Sequence, residues 1–387
     1  MSRVSLVTWK DLIDHTVDWM GVNPEAEAIR SARRATLNAM RDLANEANWI
    51  YYYGRCRITT SAPYTTGTIE YDHTGGAYER VVTLSGGTWP SWASLGTLVI
   101  NNTPYEVSAR KSATEITLTS GSNPGEDVAA GSTYTLFRDT YTLPNLFKSV
   151  GTIVMLGYST LLAYEHISSW MNRQRIFRSP AMPMTYCLRG DPDYQNSLAI
   201  SLYPPPDAVY DLDMTYQRRP RDLKIDDYSE GTLTTTSGAA TVSGSGTNWT
   251  SRLLGSVIRI SGNTTEYPTG PAGGNPAAYE RVIVSVGGTG SLTLDDTVDE
   301  TLTNVKYLIS DPVDIETGSM LTALYRGCEY QIATIRRMDN VEKYDDAYRR
   351  ALIRAREADA RSFREEVAGG RRPWPVRMSD MPMSGDQ

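Results

Sequence analysis

Asn145–Phe177, NLFKSVGTIVMLGYSTLLAYEHISSWMNRQRIF, decides how the chain is read, because it lies between two Thr/Ser/Gly-rich segments of β character. Phe147, Val150, Ile153 or Val154, Gly157, Leu161 or Leu162, Glu165 and Ser169 recur at the spacing of one helical face. The apolar positions spread widely around such an axis. A wide stripe predicts a long helix buried between several others.

On this reading the flanking segments complete a helical scaffold. Thr8 is placed to cap WKDLIDHTVDWM, with Trp9, Leu12, Ile13, Thr16, Val17 and Met20 along one side and Gly21 as the stop. Asn23 and Pro24 open a second helix, whose stripe runs through Ile29, Ala32, Ala35 or Thr36, Ala39 or Met40, Leu43, Ala47 and Ile50. From Asp314 to Phe363 the pattern is helical again, as two helices broken near Met338 to Asn340. SLAISLY and AVYDLDMTYQRRP alternate like strands around Pro204, Pro205 and Pro206, which cannot continue a ladder and mark the loop of a β-hairpin.

The two β segments repeat one another. Gly67-Thr68-Ile69 answers Gly231-Thr232-Leu233, Gly87-Thr88-Trp89 answers Gly246-Thr247-Asn248-Trp249, and Leu95–Ile100 answers Leu254–Ile260. Short alternating strands between Gly, Asn and Pro turns predict a small antiparallel barrel or sandwich for each copy. The expected fold class is α+β: a helical-bundle scaffold with a β-hairpin, carrying two small antiparallel β domains inserted as a repeat. The scaffold takes residues 1–60, 140–228 and 312–368, the insertions 61–139 and 229–311, and an extended tail 369–387. Trp89 and Trp249 are expected as core anchors of the two modules. Their alternative role, with Trp92, is an exposed platform for sugar stacking.

The net charge of -7 excludes a chain coated in nucleic acid, since phosphate binding needs a cationic footprint. Cys56, Cys187 and Cys328 lack the close pairs of a zinc site or disulfide scaffold. No stretch reaches the roughly 18 apolar residues of a membrane span, and no export signal is visible, so no membrane partner is expected. Tyr is abundant at 24 against 4 Phe, which suits half-buried interface surfaces.

No catalytic pattern emerges, and no enzyme, cofactor or metal is expected. His15, His73 and His166 lie in no nucleophile elbow or His-Glu-x-x-His helix, and His166 reads as a structural histidine on the buried middle helix. LDDTVDE, from Leu294 to Glu300, lacks calcium-loop spacing and reads as an acidic turn. The C-terminal helix interleaves Arg349, Arg350, Arg354 and Arg361 with acids at three- and four-residue spacing. Solvated ion pairs account for that pattern, and a contact with a channel or a neighbouring subunit is the alternative. In the tail, Arg371, Arg372, Pro373, Trp374, Pro375 and Arg377 have the composition either of a groove-docking peptide or of plain disorder.

The scaffold resembles the head-to-tail adaptor (connector) proteins of tailed bacteriophages. The resemblance rests on NWIYYY, on YTLPNLFKSVGTIVML, on SLYPPPDAVYDLDMTYQRRPRDL and on YDDAYRRAL, and it covers most of the chain. The repeated modules are similar to small β domains of phage virion proteins. The resemblance implies a ring, commonly dodecameric, that joins the portal to the tail or neck and extends the DNA channel. It further implies non-specific proximity to double-stranded DNA, docking on the portal through the C-terminal tail, and a place in the virion neck after assembly in the host cytoplasm. The two insertions make this chain roughly twice the family's usual length. The competing expectation is a carbohydrate-binding or adhesin-like virion protein of the neck or a tail fibre.

Overall fold

The structure is a computed structural model that describes residues 6–73, 80–158, 161–176, 179–192, 194–270 and 273–368. Among these residues there are twenty strands in four sheets and five α-helices. The chain divides into two compact units, one running from Tyr52 to Arg219 and the other built from the segments on either side.

The unit of flanking segments contains α1 (Trp9–Met20), α2 (Ala26–Glu46), α4 (Ser319–Ile335) and α5 (Val341–Ala368). Thr8 and Asp11 form a reciprocal capping box at the start of α1, and Gly21 ends it at φ 63°. Glu25, not Asn23, occupies the cap position of α2. Small residues let the helices approach: Ala32, Ala35 and Ala39 are buried on α2, as are Ala323, Gly327 and Ala333 on α4, which packs against α1, α2 and α5. The indole N–H of Trp9 donates to Thr36 Oγ1 at 2.8 Å, fastening α1 to α2.

The same unit carries β15 (Thr232–Thr234), β16 (Ala239–Ser245), β17 (Val257–Ile260), β18 (Tyr279–Gly288), β19 (Ser291–Val298) and β20 (Tyr307–Ser310), ordered β15-β16-β19-β18-β17-β20. Leu233 of β15 bridges to Val305, just before β20, so the sheet nearly closes on itself. Buried charges fasten it to α1. Arg259, 2% exposed, donates to both carboxylate oxygens of Asp11 at 2.6 and 2.7 Å and to Glu280 at 2.9 Å. Asp311, fully buried, accepts from Ser256 Oγ at 2.6 Å and from the backbone N–H groups of Lys224 and Ile225, while its carbonyl accepts from Trp9 N at 2.8 Å.

In the Tyr52–Arg219 unit, β2 (Thr68–Tyr71), β3 (Val81–Ser85), β4 (Thr97–Ile100), β5 (Thr103–Arg110), β6 (Glu115–Leu118), β7 (Val128–Ser132) and β8 (Thr135–Phe137) run in the order β7-β2-β3-β6-β5-β4-β8. From β2 to β8 this order matches β15 to β20 strand for strand. Beside this module lie two further sheets. One is ordered β1-β14-β10, from β1 (Tyr53–Thr59), β10 (Phe147–Met155) and β14 (Asp211–Arg218). The other is ordered β11-β12-β13-β9, from β9 (Thr140–Thr142), β11 (Ala163–Tyr164), β12 (Thr185–Gly190) and β13 (Leu198–Tyr203). They share one apolar core, including Tyr141, Phe147, Ile153, Ile200, Leu212 and Met214.

These sheets overturn the expected helical-bundle scaffold, because the molecule is mostly β. Asn145–Phe177 is not one helix: it gives β10, β11 and only a short α3 (Ile167–Ile176). Strand β10 has register shifts against β14 between Phe147 and Ser149 and between Val150 and Ile153. Each extra residue breaks the two-residue alternation, so buried apolar side chains recur at helix-like intervals along a bulged strand. The expected β-hairpin is absent as well: β13 and β14, on either side of the three prolines, belong to different sheets. His166 is exposed at the start of α3, where its Nδ1 accepts from Ser168 N at 3.3 Å, and is not a buried mid-helix residue.

Candidate functional site

The two modules share an aromatic cluster that places both tryptophans. Trp89 and Trp249 are each 1% exposed. Trp89 meets Tyr134 edge-on at 5.2 Å and Tyr64 at 6.1 Å, and Trp249 meets Tyr307 edge-on at 5.8 Å. Tyr64 and Tyr228 accept from the backbone N–H groups of Thr88 and Asn248, each the residue before its Trp. Tyr134 and Tyr307 donate to the carbonyls of Thr66 and Glu230. Burial raises the pKa of both hydroxyls well above the ordinary tyrosine value, so they stay donors. With their rings enclosed, Trp89 and Trp249 offer no stacking face to a sugar; Trp92 is half-buried against its module's core.

The tyrosine partners were not singled out in the sequence, although Tyr64 and Tyr228 occupy matching places, three residues before Gly67 and Gly231. The repeat also needs a one-residue change of register. Gly86, not Gly87, corresponds to Gly246: both have positive φ, and a Cβ added to either would meet the Cα of the partner glycine, Gly67 or Gly231, at 3.7 Å.

On the helical side, α2, α4 and α5 enclose a groove of about 680 Å³ lined by Asp42, Glu46, Tyr330, Asp345, Tyr348 and Arg349, with Leu352, Ile353 and Arg356 further along α5. The four arginines singled out on α5 are all exposed, and the helix separates them. Arg349 faces the groove and donates to Asp345 at 2.9 Å, a pairing that raises the guanidinium pKa. Arg350, Arg354 and Arg361 fall on another face, about 100–140° around the axis from Arg349. There Arg350 donates to the Asp346 carbonyl and Arg361 lies 3.6 Å from Glu357. Arg356 bonds both the carboxylate and the carbonyl of Glu46 at the end of α2. Tyr348 is 7% exposed, and its ring stacks on Tyr330 at 6.1 Å. Its hydroxyl has no hydrogen-bond partner among the described residues. Burial first, then the carboxylates of Asp42 and Glu46, push its pKa far up, so it can act as a donor.

The Tyr52–Arg219 unit has its own exposed apolar strip. Leu161 is 64% and Met184 59% exposed; Val154 bridges to Leu161, and Ala163, beside Tyr164 on edge strand β11, donates to the Met184 carbonyl. Arg371, Arg372, Pro373, Trp374, Pro375 and Arg377 of the tail lie outside the described residues. Among the described residues no group of three His, Cys, Asp or Glu side chains is arranged to hold a metal, and no helix is long and apolar enough to cross a membrane. No protein-family model matches the chain, and no curated protein matches it significantly.

Proposed function

We propose that this protein is a structural virion protein of the head-to-tail adaptor type, a ring of copies of itself that joins the portal of a phage head to the tail or neck and extends the DNA channel. The reading is carried by the convergence of the phrases that resemble that family. Tyr141 and Leu143 of YTLP, Tyr210 after the proline run and Tyr216 of YQRRP meet in one core. There Phe147 and Tyr216 stack with ring centroids 5.7 Å apart. Segments distant in sequence thus build a single packed site, as a shared architecture requires.

A closed ring needs each subunit to present two different surfaces to its neighbours. The strip of Val154, Leu161, Tyr164 and Met184 suits one of them, since a contiguous exposed apolar patch marks a contact site. Arg350, Arg354 and Arg361 suit a second subunit or the channel wall, and the tail around Trp374 suits the portal. An overall charge of -7 fits a channel through which DNA slides without being gripped.

Electron microscopy and native mass measurement of the full chain, alone and with a portal, test the reading. Closed rings are the expected result. The double variant Leu161→Glu, Met184→Glu should abolish them while leaving the circular dichroism spectrum unchanged. A chain that stays monomeric beside a portal would sink the proposal.

A further inference from the structure

We propose that the groove between α2 and α5 is the docking site of the chain's own C-terminal segment, which folds back along α5 and lays Trp374 beside Arg356 and Ile353. Three features of the groove point to a peptide occupant. Ile353 is 54% exposed amid charged neighbours, an apolar spot with nothing over it among the described residues. The Tyr348 hydroxyl is enclosed but unpartnered, and a buried donor without an acceptor is costly, so a backbone carbonyl brought by a peptide would satisfy it. The lining holds three carboxylates, Asp42, Glu46 and Asp345, against the two guanidiniums of Arg349 and Arg356, which already engage two of them.

The segment after α5 complements each feature. It brings Arg371, Arg372 and Arg377 to an acidic rim and Trp374 to an apolar spot. Proline at 373 and 375 favours an extended stretch, which would lower the entropy lost on docking.

The lengths agree. Arg356 lies twelve residues before Ala368, about 18 Å back along the helix. With Gly369 and Gly370 taken up by the reversal, the four residues from Arg371 to Trp374 span about 14 Å when extended, and the indole makes up the remaining step toward Arg356. Gly369 and Gly370 stand where the chain has to reverse, the position at which glycine most readily ends a helix. In the same register Arg377, about 24 Å from the helix end, reaches the level of Leu352 and Ile353.

The inference stands on the groove and does not need the adaptor reading. Where both hold, the portal has to draw the tail out of its own groove, and docking becomes a competition.

Limited trypsin digestion of the full chain, followed by mass, tests it through cleavage after Arg371 and Arg377; Arg372 precedes Pro373 and resists the enzyme. Cleavage at these sites should be slow in the parent and faster by about threefold in Tyr348→Phe, which loses a single hydrogen bond. Ile353→Asp should raise it by about tenfold through loss of the apolar contact. Trp374→Ser should do the same from the tail side, where the fold up to α5 is not at stake. Unchanged rates in Trp374→Ser and Tyr348→Phe overturn the proposal. Protection in the parent should survive a ~100-fold dilution, because a tethered segment keeps its effective concentration. Protection lost on dilution means that a neighbouring copy's tail fills the groove, and it overturns the fold-back. Portal binding is not the readout, so failure here leaves the adaptor reading to its own test.

Discussion

Gly231 holds φ at 80°, and a Cβ there would lie 2.4 Å from the Ser245 carbonyl oxygen and 2.7 Å from Gly246 C. Gly67 repeats this against Ser85 O at 2.3 Å, so both modules depend on the same backbone crossing. Gly231→Ala should cost about 3 kcal/mol, combining left-handed strain with a backbone clash. Gly238→Ala, at φ 77° with open space around it, should cost only about 1 kcal/mol, and urea melts of the two variants compare them. The glycine-threonine phrases mark this crossing in the sequence, but with Gly86 and Gly87 adjacent the sequence does not single out Gly86 as the glycine that faces Gly67. Divergence between the copies is equally local. By strand pairing Val99 takes the place of Arg259, so only the second module carries the buried guanidinium. Burial alone would raise the Asp11 pKa, but the hydrogen bonds and charge of Arg259, with the bonds from Thr8, outweigh it and hold the carboxyl below its ordinary value. That pairing therefore stabilises the fold above the ordinary aspartate value near pH 4 and is lost as pH falls through the lower folded value. Asp11→Asn should lose about 3 kcal/mol at neutral pH, and the gap to the parent should close in acid-side melts.

Among whole elements, the ends of the chain were the most legible. Thr8, Asp11 and Gly21 bound α1 by local chemistry that tertiary packing does not override, and the break between α4 and α5 falls where Arg337 and Asn340 take positive φ. Strand β10 was illegible for a physical reason. Its bulges turn a period of two into a spacing near three, and Gly151, whose Cβ would meet Thr215 Oγ1 at 2.6 Å, marks a close strand contact. The short α3 begins only at Ile167, and Trp170, 3% exposed, is the residue that anchors it. Alternation on both sides of Pro204–Pro206 identifies β13 and β14 as strands, yet nothing local tells a hairpin loop from a corner where the chain changes sheets. In the helices, α4 is the element whose spacing is least forgiving. A Cβ on Gly327 would stand 3.1 Å from the Tyr348 ring and 3.3 Å from Ala39 Cβ. Gly327→Val should therefore push α2 and α5 off α4 and destabilise the unit by about 1–3 kcal/mol, read by helical circular dichroism during urea unfolding.

At the scale of the molecule, the repeat was visible in sequence because each copy buries its own core. The Trp89 and Trp249 cores lie in different units, each fixed by its own tyrosines. How the chain is partitioned between units was hidden, since it depends on which distant segments pair. Strand β1 follows the aromatic end of the second helix, and its partner β14 follows the prolines; Tyr53 pairs with Gln217 and Thr59 with Asp211 across more than 150 residues. The Tyr52–Arg219 unit is therefore entered and left through one antiparallel pair, with its first and last residues side by side. Such an arrangement lets an inserted unit fold without its host, because closing its ends costs little entropy. Its core is also self-sufficient: the cluster around Trp89 and the one around Tyr141 and Met214 draw their residues from within Tyr52–Arg219. Expressed alone, residues 52–219 should give a folded β protein with a cooperative thermal transition. Joining Tyr51 to Pro220 through a short glycine linker should leave the flanking unit with its helical circular dichroism. If the excised segment shows no cooperative transition while the full chain does, the unit is stabilised from outside and its independence is lost. If it melts cooperatively, Gly67→Ala should lower the midpoint of the excised unit and of the full chain alike, tying the transition to the module's own crossing.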